Sequence, residues 1–357
     1  MNGWRSDYVR MATEGPQTTW SSLLYRGLCP LSFLYGLVMR VRSNLYRTGL
    51  KTSYQASVPV ISVGNVVVGG TGKTPMIDFL VRYISGRGIR CAVVSRGYGG
   101  SYHQDVAKVN NVDGTLRMTA AESGDEPYLL AKRNPGVPVY VARKRKFGVQ
   151  AAERDGVQLI LLDDGFQHLA VHRDVDIVLL DGKRPFGNGN TLPAGMLREP
   201  LSALQRADMV VMTRSGPESR SPLHYNGPVL RSRHQLDKTM TTLEGVVVPE
   251  TDFIGKSCLA FAGIARPEEF FKSLRSFGFC NIEELSLADH QEYNQDILNL
   301  LLGSCDNHDL MITTEKDAVK LSTADFPIPC YQIGVELVFD NISPLVSLLD
   351  EIMAQRR

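Results

Sequence analysis

The chain has 357 residues, 43% hydrophobic and 22% charged, an ordinary globular composition with enough length for two packed cores. Its formal net charge of +1 argues against nucleic acid as the main partner, because polyanion binding needs a basic excess. Cys29, Cys91, Cys258, Cys280, Cys305 and Cys330 form no C-x-x-C pair, so neither a zinc site nor a disulfide framework is suggested and a reducing cytosolic setting fits.

Charge is uneven along the chain. Residues 1–51 carry Arg5, Arg10, Arg26, Arg40, Arg42, Arg47 and Lys51 against only Asp7 and Glu14. Residues 23–39 are apolar but contain Arg26 and Pro30, and the basic cluster Arg40, Arg42 and Arg47 follows them. That order is wrong for a secretory signal, and the apolar length is marginal for a membrane span. A helix lying in a membrane interface fits better, with Leu, Phe and Tyr among acyl chains and arginines among anionic headgroups. The alternative is a helix packed on the protein's own core. The residues before Trp20 have no role that the sequence assigns and are compatible with disorder.

At residues 58–75 an apolar β-type run breaks into a glycine-rich turn ending in Gly72, Lys73 and Thr74. Glycines without Cβ let backbone N–H groups converge on phosphate oxygens, Lys73 adds a point charge and Thr74 offers a hydroxyl to Mg²⁺. A helix expected over 76–85 points its positive end at the same anion. In the common G-x-x-x-x-G-K-S/T spacing the first glycine would stand where Val67 stands. The run resembles instead the G-G-x-G-K-T variant of P-loop proteins, with Val68 where a second lysine often precedes the paired glycines.

Further buried-type strands are expected at 92–95, 137–141, 158–162, 175–180 and 208–212, alternating with helical segments such as 127–133 and 147–155. This alternation predicts a P-loop NTPase-like α/β/α sandwich around a parallel sheet, with ligands beyond the carboxyl ends of the strands. Residues 227–250 read as a β-hairpin or an irregular linker. A strand at 259–264, a helix over 267–277 and a strand at 310–313 then form a second, smaller α/β unit. The expected division is 1–51 interfacial segment, 52–226 P-loop domain, 227–250 β linker and 251–357 smaller domain.

Asp163 and Asp164 follow an apolar strand in the Walker B manner, which delivers a carboxylate to Mg²⁺ or its water shell. Glu126 and Asp125 are adjacent in a turn before a helix, where Asp125 is either an N-cap or one of two carboxylates dividing base and metal duties. His290 beside Asp289 is either a solvated histidine or one whose orientation the carboxylate fixes. His168 and His172 have helical metal-pair spacing without a partner carboxylate and read as incidental. Residues 143–146 and the pair Lys183 and Arg184 are either phosphate ligands or solvated surface. The segment 193–200 is rich in turns, and its chemistry assigns it no role.

Eight motifs in order carry a resemblance. They are V-G-N-x-x-x-G-G-T-G-K-T-P at 63–75, S-R-G-Y-G at 95–99, S-G-D-E-P at 123–127, L-D-D-G-F-Q-H at 162–168, L-P-A-G-x-L-R-E-P at 192–200, F-A-G-I-A-R-P at 261–267, D-H-x-x-Y at 289–293 and T-T-E-K-D-A-V-K at 313–320. Together they closely resemble the tetraacyldisaccharide 4'-kinases of lipid A synthesis over nearly the whole chain. The resemblance implies two α/β/α units joined by a β linker. It also implies ATP-dependent phosphorylation of the 4'-hydroxyl of a lipid A disaccharide 1-phosphate at the cytoplasmic face of an inner membrane.

Carried over by position, the family's phosphate loop falls on Val67, Val68, Gly69, Gly70, Thr71, Gly72, Lys73 and Thr74. The resemblance places the catalytic base on Asp125, assisted by His290 with Asp289 orienting it, and the Mg²⁺ shell on Thr74, Glu126, Asp163 and Asp164. It implies a lipid substrate and a membrane surface as partners, without an obligate protein partner. Two other classes explain part of the pattern: a membrane-associated P-loop nucleotide switch, or a kinase for another lipid. The absence of an N-K-x-D guanine-reading motif counts against the switch.

Overall fold

The computed structural model describes residues 3–216 and 225–354. Two helices come first, α1 (Gly3–Glu14) and α2 (Thr19–Arg47). The first unit follows as β1 (Val60–Asn65), α3 (Lys73–Ser85), β2 (Cys91–Ser95), β3 (Ala107–Lys108), α4 (Ala120–Ser123), α5 (Asp125–Arg133), β4 (Val139–Val141), α6 (Arg145–Arg154), β5 (Leu159–Asp163), β6 (Val175–Asp181) and β7 (Met209–Thr213). Then come β8 (Val229–Thr242) and β9 (Val247–Val248). The second unit is β10 (Ser257–Ala262), α7 (Pro267–Leu274), β11 (Asn281–Ser286), α8 (Gln295–Cys305), β12 (Leu310–Thr314), α9 (Glu315–Ala318), β13 (Cys330–Phe339) and α10 (Ser343–Ala354).

Strands β7, β6, β1, β5, β2 and β4 lie side by side in parallel, with β3 antiparallel at the edge. Every residue of β1, β2, β5, β6 and β7 is buried, which is why each appears in the sequence as a mostly apolar run. Helix α3 buries Met76, Ile77, Leu80, Val81 and Ile84, one face at helical spacing.

The segment expected as a hairpin or linker contains a 14-residue strand that belongs to the sheet itself. Its start pairs in parallel with β7, its remainder runs antiparallel to β13, and β9 folds back on its end. The sheet therefore continues from one unit into the other. Helix α10 also returns to the first unit, where Leu345, Leu349 and Ile352 join the core cluster of the α3 face.

The N-terminal residues differ from expectation. Helix α1 is ordered against the segment after β6: Asn188 N donates to Ala12 O (3.2 Å), Tyr8 OH to Pro193 O (2.7 Å), and Met11 and Ala12 are fully buried. Helix α2 turns Ser21, Ser32 and Gly36 inward and leaves Trp20, Leu23, Leu31, Phe33, Leu34, Leu37, Val38 and Val41 exposed. Its polarity is thus inverted relative to a helix packed on its own core, which removes that alternative. By length and composition α2 would be long enough to cross a membrane.

Candidate active site

The carboxyl ends of β1 and β5 meet at one edge of the sheet. From β1 the chain enters the glycine turn, whose Gly69 and Gly72 have φ of 118° and 88°. Gly72 precedes Lys73, the first residue of α3, and makes no side-chain cap. The first N–H groups of α3 are therefore directed into the turn, the arrangement that receives phosphate oxygens. Pro75 lies in the first turn of the helix, where a missing N–H costs nothing. The turn is braced from within, as Asn65 Nδ2 donates to Gly69 O (3.2 Å) and Thr71 Oγ1 (3.1 Å). Behind it, Arg214 donates to Gly70 O (3.0 Å), and Arg214 and Arg266 share the buried Asp181 carboxylate.

Val67 and Val68 behave differently from the glycines. Val67 forms a β-bridge with Leu197, and Val68 N donates to Met196 O (2.9 Å). Strand pairing rather than a tight turn occupies this stretch, so no glycine is required at Val67. The Val68 amide is committed to Met196.

Asp163 ends β5, fully buried, with Ser95 Oγ donating to its Oδ2 (2.8 Å) and its Oδ1 without a partner. Burial, followed by the charges of Glu126 and Asp164, pushes its carboxyl up to about 6. Asp164 adopts φ 51°, a left-handed conformation for a non-glycine residue. Its carboxylate binds Arg198 (2.8 and 2.9 Å) and lies 3.6 Å from Lys73 Nζ. Burial works against its charge, but Lys73 and Arg198 outweigh that and hold it below the usual carboxylate range.

Asp125 is the first residue of α5 rather than its N-cap. Gly124 takes the cap at φ 92°, and a Cβ there would lie 2.5 Å from Tyr98 O. The Asp125 carboxylate is thereby free to reach the second unit: Lys320 Nζ is 2.7 Å and His290 Nδ1 3.4 Å from its Oδ2. Burial raises its pKa, and the hydrogen bonds from His290 and Lys320 reverse that to a net lowering. Lys316 Nζ stands 3.2 Å from His290 Nε2, 3.5 Å from Asp289 and 3.8 Å from Glu126. A proton on Nδ1 with a lone pair on Nε2 satisfies both neighbours of the imidazole.

Asp289, expected to orient His290, reaches Lys316 instead of the ring, and the two ring nitrogens face Asp125 and Lys316. Lys316, Lys320 and Arg198 went unsingled in the sequence, although the first two lie one helical turn apart in T-T-E-K-D-A-V-K.

The basic segment after β4 divides. Arg145 is buried and donates to Asp163 O (3.2 Å), while Arg143 and Lys146 lie over the rings of Tyr102 and Tyr54. Lys183 pairs with Glu269 and Arg184 with Glu14. Among the described residues no group of three or more His, Cys, Asp or Glu forms a ready metal cage, which includes His168 and His172.

The family model described as "Tetraacyldisaccharide-1-P 4'-kinase" matches residues 24–354. The chain is a member of the tetraacyldisaccharide 4'-kinase family. It is 46% identical to the tetraacyldisaccharide 4'-kinase of Syntrophotalea carbinolica across 98% of both chains, and 43% identical to that of Geobacter sulfurreducens across 90% and 91%. A crystal structure of LpxK from Aquifex aeolicus in complex with ATP superposes with a TM-score of 0.79 at 30% identity, covering 92% of this chain and 99% of that one. The kinase thus has the P-loop kinase fold expected for the family.

Proposed function

We propose that this kinase transfers the γ-phosphoryl group of ATP to the 4'-hydroxyl of a tetraacyldisaccharide 1-phosphate, yielding the 4'-phosphorylated lipid A precursor. The supporting observation is the meeting of Asp125 from the first unit with His290 and Lys320 from the second, next to Glu126, whose charge acts on Asp163 at the end of β5.

In this reading the turn from Gly69 to Thr74 and the ammonium of Lys73 hold the phosphates of ATP. Asp125 accepts the proton of the sugar hydroxyl while its oxygen forms the new O–P bond and the bond to the β-phosphate oxygen breaks. His290 fixes the Asp125 carboxylate and stabilises its charge. Because His290, Lys316 and Lys320 belong to the second unit, the base is fully assembled only with both units in contact, which excludes water from the transfer.

The residues present fit a divalent cation. The Oδ1 of Asp163 is an oxygen donor without a hydrogen-bond partner, and the mutual repulsion among Asp163, Asp164 and Glu126 is what a cation relieves. Mg²⁺ keeps waters and substrate phosphates in its shell and needs few protein ligands. Asp163, Asp164, Glu126 and Thr74 would hold it. When bound, Mg²⁺ neutralises charge on the β- and γ-phosphate oxygens.

The inverted polarity of α2, with Arg26, Arg40 and Arg47 nearby in sequence, supports a helix lying on an anionic lipid surface at the cytoplasmic face of the inner membrane. A substrate with four acyl chains stays embedded there while its sugar reaches the cleft. The same reading keeps residues 1–51 as the interfacial segment, 52–226 as the P-loop domain, 227–250 as the β linker and 251–357 as the smaller domain.

The test is transfer of label from γ-labelled ATP to tetraacyldisaccharide 1-phosphate in mixed micelles, with free-sugar and no-acceptor controls. Labelled lipid that disappears with Asp125→Ala is expected. Release of labelled inorganic phosphate alone, indifferent to lipid, would refute the proposal.

A further inference from the structure

The turn-rich segment 191–200 has no part in the chemistry above, yet it joins three elements. On one side it meets α2. Ser32 Oγ donates to Thr191 O (2.6 Å) and accepts from Ala194 N (2.8 Å), Thr191 Oγ1 donates to Ser32 O (2.7 Å), and Tyr35 OH donates to Arg198 O (2.9 Å). On the other side it meets the entrance of the phosphate turn. Arg198 N donates to Val66 O (2.8 Å), Val68 N donates to Met196 O (2.9 Å), and Val67 bridges Leu197. From its end, the Arg198 side chain grips both oxygens of Asp164, 3.6 Å from Lys73.

Helix α2 is attached to the protein largely through such polar bonds. Its buried residues are Ser21, Ser32 and Gly36, and most of its large apolar side chains face outward. Packing of its own apolar face therefore does little to fix it in water. A surface that buries that outer face holds the helix, and through Ser32 and Tyr35 it holds the backbone at Thr191, Ala194 and Arg198. That backbone in turn sets the position of Val66, Val68 and the Asp164 carboxylate.

We propose that contact of α2 with a lipid surface and binding of ATP at the phosphate turn are coupled through residues 191–198, with Ser32 and Tyr35 as positioning residues. This rests on the lipid-surface reading of α2. Coupling of this kind is reciprocal, so lipid tightens ATP binding and ATP tightens attachment to lipid. It also gives the strand-like pairing at Val67 a function, since a flexible glycine there would transmit displacement less faithfully.

The experiment measures the Kd of a non-hydrolysable ATP analogue for the full chain with and without vesicles of phosphatidylethanolamine and phosphatidylglycerol, alongside co-sedimentation. The wild type is expected to sediment and to bind the analogue about tenfold more tightly on vesicles. Tyr35→Phe removes one oxygen and should sediment equally while its tightening falls below about twofold; Ser32→Ala, an independent variant, should do the same. A wild type that sediments but binds the analogue equally well with and without vesicles overturns the coupling alone. Full tightening retained in both variants overturns the route through Ser32 and Tyr35. A wild type that fails to sediment overturns the lipid-surface reading itself, and the coupling with it.

Discussion

Lys320 Nζ lies 2.7 Å from Asp125 Oδ2, so a side chain of the second unit grips a carboxylate that opens a helix of the first. Both partners are mostly sheltered, and Lys320 is tied in turn to Gln291 O (3.1 Å), next to His290. One lysine thus sets the rotamer of Asp125 and the placement of the histidine-bearing loop together.

Lys320→Met should lower kcat by about tenfold or more, equivalent to about 1.4 kcal/mol or more of transition-state stabilisation, with little change in ATP affinity. Lys320→Arg should recover part of the loss by restoring a charge-assisted bond. Steady-state kinetics with lipid and ATP varied separately would check this; a rise in the KM for ATP at unchanged kcat would contradict it.

Gly72→Ala should impair both nucleotide binding and folding. The residue has φ 88°, and an added Cβ would lie 2.6 Å from His234 Nε2 on β8. The backbone strain alone costs about 1–3 kcal/mol. A lower Tm and weaker ATP binding in the same variant are expected, because the same backbone forms the helix start and the anion cradle.

Acid should destabilise the fold through two half-buried histidines. Burial, followed by nearby arginines, pushes His234 down to about 3 and His168 down to about 4. The unfolded chain takes up protons from about pH 6.5 downward while these imidazoles stay neutral, so the stability present above that pH is lost as pH falls toward 4 and then 3. Each contributes a slope of at most about 1.4 kcal/mol per pH unit. Asp163, raised to about 6, acts with the opposite sign and loses stability as pH rises through that value. Urea titrations of the wild type and His234→Gln at pH 7, 6 and 5 isolate the histidine: the variant should show the shallower decline.

Phe33→Ser with Leu34→Ser should weaken attachment to anionic vesicles without lowering Tm. These side chains are 72% and 56% exposed, so the fold loses little when they are cut back. Each full burial in lipid contributes about 1.5–3 kcal/mol, which makes the pair sufficient for a loss of partitioning of about a hundredfold or more. Co-sedimentation measures the first effect and a thermal melt the second.

Asp163→Asn should abolish any added stabilisation of the ATP complex by Mg²⁺, while the metal-free protein melts no lower than wild type. The carboxylate is buried with an unpartnered oxygen and is disfavoured as an anion there, so its neutral isostere is tolerated until a cation is required. Thermal shifts with ATP, with and without Mg²⁺, separate the two.

Much of the first unit was legible in the chain. Strands such as β5 and β6 are buried along their whole length, and that leaves a mostly apolar run in the sequence. Strand β11 was missed because its residues, Asn281 to Ser286, are largely polar and none is buried, as befits a sheet edge. Strand β13 and the true role of β8 were missed because their pairing is with each other across some ninety residues, and no local pattern records it. The Asp125 carboxylate was visible as a candidate, yet its freedom from capping depended on Gly124 lying against Tyr98.

The sequence by itself determined the phosphate turn, the aspartates at the end of β5 and, through eight motifs in order, the family. These are properties of short segments, where backbone freedom, apolar periodicity and side-chain chemistry are written in consecutive residues. Tertiary structure alone decided that Lys316 reaches His290 and Lys320 reaches Asp125, that Val67 pairs with Leu197, and that an outward-facing apolar helix is bonded through Tyr35 to the residue that grips Asp164. Those relations join residues remote in the chain, and their energies exist only once folding has brought the partners within hydrogen-bonding distance and removed the water between them.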